Sequence, residues 1–451
     1  MIRLARALLV STLLATTALA QPDTEASRFQ ADFLDGKLAW ETVLETARAE
    51  GEVHFFYWGG GDNLNIWMDS VVAPALAELG VTLRANRITG TKDAVDLVLA
   101  ETAAGKGIGE GSVDAIWLNG ENFFTLKQQG QLFGSFAQAL PNSVHFEWGQ
   151  ADPRSTLNLR DFGTTTEGME VPWSGEQYVC VANRALMTLD QTPSDLAGLR
   201  AYLEANPGKF AYVKPPHYLG NTFVQQVLYA FNPDGTAASP FQASISELGA
   251  EELARLIEPG FAYLRELEPL LLGGPQGATR YPEDGAAADG LFRNSEIHLT
   301  CGFGLYAVAT KRANGSYPDT AEEIIFPAGS MIKNKSYLAI PANAPNPAAA
   351  LVLANYMSSV DAQVTRLELV GYPAGIDPWR LSPEDAARLE AAAPPHFGVT
   401  AAELDANIAP DTNASLVDVV EAVWLEYIER QSDDPFAAVV ARAAAPALAT
   451  Q

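Results

Sequence analysis

The segment "EVHFFYWGGGDNLNIWMDSVVAPALAELGVTLRANRI", residues 52–88, contains three successive elements of a repeating fold unit. It opens on a short apolar run that predicts a β-strand, and it closes on an alternating run that predicts a second strand. Between the two strands, apolar residues recur at helical spacing and a glycine ends the predicted helix. The residues of this helical pattern are Ile66, Trp67, Val71, Ala75, Leu79 and Gly80.

The same alternation of elements continues on both sides of this segment. Residues 38–51 predict a helix that Gly51 ends, residues 92–107 predict another helix, and residues 112–120 form a third apolar strand. The order βαβαβ requires a parallel sheet that is covered by helices and connected by right-handed crossovers. The sequence therefore predicts an α/β fold.

Glycines follow the first and third predicted strands, at the edge where open α/β sheets bind ligands. Gly59–Gly61 follow the first strand and Asn119-Gly120 follow the third. The dinucleotide motif G-x-G-x-x-G is absent here. A further glycine-rich stretch, residues 105–111, comes after a helix and before a strand, which is the wrong order for a phosphate loop. We therefore expect the glycine turns to give a ligand access to backbone N–H groups.

The rest of the chain predicts a second group of elements and a return. Residues 176–184 predict a strand that leaves the first part of the fold, and residues 209–214 predict a strand before a helix from about Asn221. A long helical pattern over residues 251–271 contains Pro259-Gly260, which predicts a break. Residues 322–341 predict a chain that crosses back, and the remainder is largely helical.

The first twenty residues predict a cleavable secretory signal peptide. Arg3 and Arg6 precede an apolar run, and Ala18-Leu19-Ala20 is typical of a cleavage site. The alternative is an N-terminal membrane helix, which the short apolar run disfavours. No cysteine lies near the cleavage site for lipid attachment. We therefore expect a periplasmic protein that is not a lipoprotein.

Composition and charge limit the classes of partner. The net charge of -26 repels phosphate backbones, so we expect no nucleic-acid partner. With 48% hydrophobic residues the chain can bury a large core, and its 451 residues suit two domains. Cys180 and Cys301 are the two cysteines, and they are equally compatible with a disulfide and with two buried thiols.

Sequence motifs of catalysis are missing. The five histidines show no metal-binding spacing, and there is no G-x-S-x-G motif of a serine hydrolase. Acidic pairs such as Glu322-Glu323 are typical of solvated surface. The sequence therefore predicts no catalytic residues, no bound metal and no cofactor.

Polar and aromatic residues are instead grouped where strands are predicted to end. Tryptophan, glycine and short amide side chains at several such ends favour a cleft for a small polar molecule. Aromatic faces near a carboxylate would also suit a cation. The predicted ligand-binding residues are Trp58, Gly60, Asp62, Asn63, Asn119, Glu121, Asn122, Trp173, Tyr218, Asn221 and Thr222.

Four segments resemble the periplasmic solute-binding proteins of ABC importers, in particular the YnjB-like group. They read "VDAIWLNGENFFTLKQQGQLFGSF" at residues 113–136, "VPWSGEQYVCVANR" at 171–184, "MIKNKSYLAIPANAPNPAAALVLANYMSS" at 331–359 and "DAQVTRLELVGYPAGI" at 361–376. The resemblance covers roughly Ala47 to Trp379. The helical tail from about residue 381 is less typical of the group.

The resemblance implies a type II two-lobed fold with parallel-sheet lobes and crossing hinge segments. On this basis we expect a signal peptide at residues 1–20, lobe 1 at 21–175, lobe 2 at 176–325, and a return at 326–451 with C-terminal helices on both lobes. The implied function is to bind a small polar or charged solute and deliver it to a permease and its ATPase. A monomer is expected. The alternative is an exported hydrolase of carbohydrates or esters.

Overall fold

The computed structural model describes residues 24–235, 237–325 and 331–449. The predicted signal peptide, residues 1–20, lies outside these ranges. Among the residues described, no helix is both long and apolar enough to cross a membrane.

The described ranges contain ten strands and eighteen α-helices, which are numbered in chain order. The strands are β1 Glu52–Trp58, β2 Thr82–Ile88, β3 Ala115–Leu118, β4 Arg160–Asp161, β5 Thr164–Thr165, β6 Glu170–Asn183, β7 Leu299–Phe303, β8 Ala321–Ile324, β9 Met331–Ala339 and β10 Ile408–Ala409. The helices of the first half are α1 Glu25–Leu34, α2 Trp40–Glu50, α3 Asp62–Trp67, α4 Ala73–Glu78, α5 Thr91–Ala103, α6 Glu121–Gln128, α7 Thr156–Leu159, α8 Leu196–Ala205 and α9 Tyr218–Ala230. Those of the second half are α10 Ile245–Leu267, α11 Gly285–Arg293, α12 Ala307–Ala313, α13 Pro347–Met357, α14 Val360–Val370, α15 Pro383–Ala392, α16 Ala401–Asp405, α17 Ala414–Trp424 and α18 Phe436–Ala449.

The predicted βαβαβ unit is confirmed as the parallel part of the sheet. β1 pairs with β2 in parallel from Glu52–Thr82 to Trp58–Ile88, and β3 pairs in parallel on the other side of β1. The strand order is β2-β1-β3. Gly51 ends α2 with a φ of 80°, a left-handed conformation that glycine adopts without strain.

Two long antiparallel strands continue the sheet and join its two halves. β9 pairs with β3 at one end, and β6 pairs with β7 and β8 at the other end. Between these ends, β6 and β9 pair with each other from Glu170–Ala339 to Gln177–Lys333, with a shift in register at Trp173. The sheet is thus mixed, because antiparallel strands are added to the predicted parallel ones.

Two main apolar cores lie at the two ends of this strand pair. Lobe 1 packs around β1, the start of β6, and α13 and α14, and lobe 2 packs around the end of β6, α9, α10, α17 and α18. A third connection runs between α15 and α16, where the Phe397 N–H donates to the Glu323 carboxylate at 2.6 Å. The fold is therefore the predicted two-lobed type, with three chain segments crossing between the lobes. The predicted limits at residues 175 and 325 stay predictions, because β6 and β9 belong to both lobes.

The two cysteines are bonded. Cys180 lies directly opposite Cys301 in the β6–β7 pair, and a disulfide joins them. Of the two alternatives compatible with the sequence, the structure has the cross-linked one.

Two local predictions are wrong. Residues 209–214 are not a strand, because their backbone groups bond singly to loop residues, as in the bond from the Leu272 N–H to the Phe210 carbonyl at 2.9 Å. The predicted break at Pro259-Gly260 is also absent, since α10 continues through both residues. Burial of the apolar face of α10 outweighs the hydrogen bond that Pro259 cannot donate. The kink lies instead at Gly249, with a φ of 71°.

Candidate functional site

The glycine turn after β1 is shaped by the side chains around it. A Cβ atom at Gly59 would lie 2.5 Å from the Cβ of Arg87, and a Cβ at Gly60 would lie 2.4 Å from the indole ring of Trp58. Any side chain at either position would therefore clash. The glycines let Trp58 fold over the turn, and α3 then begins with Asp62 and Asn63 exposed.

The turn after β3 is fixed by a buried carboxylate. Gly120 has a φ of 60°, and its N–H donates to Asp161 at 2.5 Å. α6 begins at the next residue, Glu121, whose carboxylate accepts a hydrogen bond from the Asn122 side chain at 3.3 Å. The Asn119 carbonyl accepts the backbone N–H of Asn122 at 3.3 Å. Three of the predicted residues are thus grouped at this helix start.

Trp173 lies in the core of lobe 1. Its ring is fully buried, stacks 6.2 Å from the ring of Trp67, and meets Trp117 edge-on at 5.0 Å. The Arg366 guanidinium covers the ring at 5.3 Å. In this conformation a solute does not reach the Trp173 ring, so its predicted contact with a solute would require movement of the surrounding side chains.

The facing residues of lobe 2 lie at the start of α9, which begins three residues earlier than predicted. His217 caps the helix by accepting the Leu219 N–H at 3.2 Å. Tyr218 is 56% exposed and its ring lies 6.0 Å from that of Phe303. Thr222 is buried and donates to the Tyr218 carbonyl at 2.8 Å. Only Tyr218 of these residues presents a large surface to solvent.

Acidic side chains from both lobes approach one another beside α6. Asn221 of α9 donates to Glu421 of α17 at 2.5 Å. Burial, with the charges of Asp418 and Glu121, raises the pKa of Glu421 to about 7, although the Asn221 hydrogen bond acts in the opposite direction. The surrounding protein and the charge of Asp418 likewise raise the pKa of Glu121. Two predicted residues of different lobes, Glu121 and Asn221, thus both lie near the acidic side chains of α17.

Glu176, which lies on the crossing strand β6, was not among the predicted ligand-binding residues. Both of its carboxylate oxygens are buried, and within the described chain neither has a hydrogen-bond partner. Burial raises its pKa to about 8 against the opposing effects of the Arg366 charge and of the Gln177 backbone N–H. Burial raises the pKa values of Tyr218 in lobe 2 and Tyr372 in lobe 1, and the Glu176 charge adds to both rises. Glu176 therefore connects the predicted groups of the two lobes.

Tyr372 connects this carboxylate to the glycine turn. A Cβ atom at Gly61 would lie 4.0 Å from the Tyr372 hydroxyl and 3.5 Å from the Trp58 ring. The neighbouring Pro373 carbonyl accepts the N–H of Gly175 at 2.8 Å. The Gly-Tyr-Pro turn that follows α14 therefore lies beside both the glycine turn and Glu176. No sequence pattern distinguishes this tyrosine from the other tyrosines of the chain.

One described cavity lies away from these residues. It measures about 600 Å³ and lies in lobe 2, between the segment at Lys214, residues 268–283 and residues 429–431. None of the eleven predicted ligand-binding residues lines it. Several of its polar side chains are paired, as in the ion pair of Lys214 with Glu429 and the hydrogen bond from Tyr281 to Glu268.

Comparisons with known proteins agree with the fold. The family described as bacterial extracellular solute-binding protein matches residues 70–393. Protein YnjB of Escherichia coli (strain K12) is 31% identical over 390 residues, which are 86% of this chain and 93% of YnjB.

Two crystal structures show the same fold at low sequence identity. An ABC transporter solute-binding protein from Thermotoga lettingae, bound with alpha-D-tagatose, is 13% identical at a TM-score of 0.64, covering 88% of this chain and 99% of its own. An ABC transporter substrate-binding protein from Bradyrhizobium japonicum is 17% identical at a TM-score of 0.56, covering 84% and 99%.

Proposed function

We propose the following function for this chain, which belongs to the bacterial extracellular solute-binding proteins: it holds a small polar or charged solute between its two lobes. The family indicates the substrate-binding protein of an ABC transporter. The captured solute is then delivered to an inner-membrane permease and its ATPase.

The arrangement of the crossing strands is the observation that carries this proposal. Each lobe has its own apolar core, and β6 and β9 are shared between them. Exposed side chains lie beside these strands on both lobes, Asp62 and Glu121 on lobe 1 and Tyr218 on lobe 2, and the Glu176 carboxylate of β6 has no hydrogen-bond partner among the described residues. A solute that touches both lobes only in the closed form shifts the population towards that form. The eleven predicted residues, with Glu176 and Tyr372 added, are the proposed contacts, and a contact of the buried Trp173 requires movement of the side chains around it.

Related folds hold different solutes, so the fold does not select one. The Thermotoga protein is bound with alpha-D-tagatose, and other structural neighbours are described as a GABA receptor and as a chitin oligosaccharide binding protein. The solute of this chain must therefore be inferred from its own side chains.

On this proposal the protein catalyses no reaction and acts in the periplasm as a monomer. The family does not favour the alternative of an exported hydrolase. Replacing Asp62 and Glu121 by their amides discriminates between the two functions. A solute-binding protein shows altered binding and no turnover, whereas a hydrolase would lose the turnover of a glycoside or an ester.

Small-angle X-ray scattering tests the proposed closure. The chain is measured as purified, and then after mild denaturation, dialysis and refolding to remove any bound solute. We expect the radius of gyration to rise on removal and to fall when the released fraction is returned. An unchanged radius, with no small molecule in the released fraction, would contradict the proposal.

A further inference from the structure

Among the polar groups of the cleft, the Glu176 carboxylate has the environment that is most informative about the ligand. Its two oxygens are buried and lack hydrogen-bond partners within the residues described. A buried carboxylate without a partner is costly, because it loses hydration and gains nothing in exchange. A ligand that supplies a positive charge and N–H donors, or a cationic face, would remove this cost.

Strand geometry places aromatic rings around this carboxylate. Residues two apart in a strand lie on the same face, so Glu176 shares its face of β6 with Tyr178. Phe303 lies opposite Tyr178 at a ring distance of 5.4 Å, and Tyr218 packs on Phe303. Tyr372 approaches from lobe 1. Aromatic faces beside a carboxylate form a site that binds organic cations.

Arg366 does not serve as the partner of Glu176. This side chain is fully buried, and its guanidinium donates to the Trp173 carbonyl, to Gln363 at 2.8 Å and to the Pro373 carbonyl at 2.7 Å. None of these bonds goes to Glu176. Arg366 therefore moderates the field at Glu176 from within lobe 1, and leaves the carboxylate oxygens to another group.

Glu170 is a second unpartnered carboxylate on the same strand, and it differs from Glu176 in its surroundings. Its side chain is fully buried, and its pKa is raised well above the usual range by burial and by the charge of Asp161. The charge that raises it comes from another buried carboxylate, and the tyrosine on which the Glu170 charge acts, Tyr337, is itself buried, whereas Tyr218 beside Glu176 is exposed. Glu170 is therefore assigned no ligand.

The remaining charges of the cleft also favour a cation. Glu121 of lobe 1 lies near Asp418 and Glu421 of lobe 2: besides burial, the charge of Asp418 raises the pKa of Glu121, and the charges of Asp418 and Glu121 raise the pKa of Glu421. Like charges at this distance disfavour an anionic solute. The net charge of -26 on the whole chain adds attraction for a cation at long range.

We infer that the solute carries an ammonium group, primary or quaternary, which Glu176 neutralises while the rings of Tyr218 and Tyr372 flank it. This inference rests on the proposed function and names the chemical class of the solute. Closure of the lobes brings Tyr218 and Tyr372 onto the cation from opposite sides, because they belong to different lobes.

Native mass spectrometry followed by calorimetry tests the inference. Three proteins are purified without denaturation: the unaltered chain, Glu176→Gln, and the control Glu251→Gln, which removes the same charge from an exposed position on α10. Any small molecule that they release is identified and titrated into each protein. We expect an ammonium compound, with affinity about 10- to 100-fold weaker in Glu176→Gln and unchanged in Glu251→Gln.

The other outcomes separate the two proposals. A released compound without a positive charge, or a change below twofold in Glu176→Gln, would overturn the cation inference while leaving solute binding intact. If no compound is released, thermal shift is measured with choline, putrescine, the uncharged choline isostere 3,3-dimethylbutan-1-ol, tagatose and acetate. A shift with cations alone supports the inference, and a shift with the others alone overturns it. No shift with any probe would count against the proposed function itself.

Tyr218 provides a second pair of variants that does not disturb the core, because its side chain is exposed. Tyr218→Ala should weaken binding of the cation about two- to fivefold, and Tyr218→Phe should retain it, since the ring face is the binding element. Equal weakening by both variants would overturn the role of the ring.

Discussion

The two faces of the crossing strands β6 and β9 differ in whether a buried ionisable side chain has partners within the fold. On one face, Lys335 lies opposite Gly175 and donates to Asn158 at 2.6 Å, to the Gly375 carbonyl at 2.8 Å and to Asp377 at 2.8 Å. One position further along β6, on the other face, the Glu176 carboxylate has no partner in the described part of the chain. The first charge is fully satisfied by the fold, whereas the second is left for a group outside the fold.

This difference indicates separate roles for the two positions. The Asp377 carboxylate also accepts the Glu147 N–H and the Asn158 side chain, each at 2.7 Å, so the Lys335 network ties three segments of lobe 1 together. Such a network stabilises one arrangement of the chain. Glu176 contributes no such connection. We therefore assign Lys335 to the fold and Glu176 to the solute.

The largest expected effect is the loss of the satisfied charge. Lys335→Met removes one partner of a buried ion pair and leaves Asp377 without its cation, which typically costs about 3–5 kcal/mol of stability. Equilibrium denaturation by urea, followed by circular dichroism, measures this change. The control is Lys92→Met, whose pair with Asp96 is exposed and should contribute less than about 1 kcal/mol. Equal losses in both variants would remove the basis of the comparison.

On the opposite face, replacing the ionisable side chain should raise the stability of the protein rather than lower it. The pKa of Glu176 in the folded chain, about 8, exceeds the usual glutamate value, so folding binds a proton at intermediate pH. The stability from this group is present below pH 4.5 and is lost as the pH rises towards 8. Glu176→Gln should therefore gain stability over the unaltered chain across this window, by at most about 1.4 kcal/mol per pH unit.

Urea denaturation at pH 5, 6.5 and 8 measures this difference between the two proteins. The charged and titratable side chains that share the environment of Glu176 are Arg366, Tyr218 and Tyr372. The tyrosine pKa values are raised, so these hydroxyls stay neutral over the window. A difference that does not grow with pH would show that Glu176 has a partner in solution.

The smallest expected effect concerns the ring at the mouth of the cleft. Tyr218→Ala should change the free energy of unfolding by no more than about 0.5 kcal/mol, because the side chain is largely exposed. Thermal or urea denaturation in the absence of solute checks this. A large loss of stability would show that Tyr218 supports the fold, and the two faces would then not differ in their roles.

The parallel part of the fold could be predicted from the sequence because its signals are local. Apolar periodicity and the glycine at the end of α2 indicate β1, β2, β3 and the helices between them. The segment at 209–214 could not be predicted correctly, since an apolar run alone does not show whether its N–H groups find a strand or a loop. The helix through Pro259 depends on packing within lobe 2, which is not a local property.

The site was predictable only in outline. The chain order indicated Glu121 because it follows β3, whereas Tyr218 and Asn221 were expected after a strand at residues 209–214 that does not form, and they lie at the start of α9. Glu176 could not be distinguished from its neighbours Ser174 and Gln177, because its lack of a partner depends on the register of β6 against β9 and on the shift at Trp173. Tyr372 and Glu421 come from the return segment and the tail, whose positions follow from the tertiary fold.

The ionisation of Glu176 in the free and the solute-bound protein tests the central claim most directly. Carbon-13 NMR of side-chain-labelled glutamate, with the Glu176 signal assigned by its loss in Glu176→Gln, reports the carboxyl pKa in both states. We predict a pKa of about 8 in the free protein, and an ionised carboxylate at neutral pH once the released solute is returned. An identical pKa in the two states would contradict the assignment of Glu176 as the counter-ion of the solute.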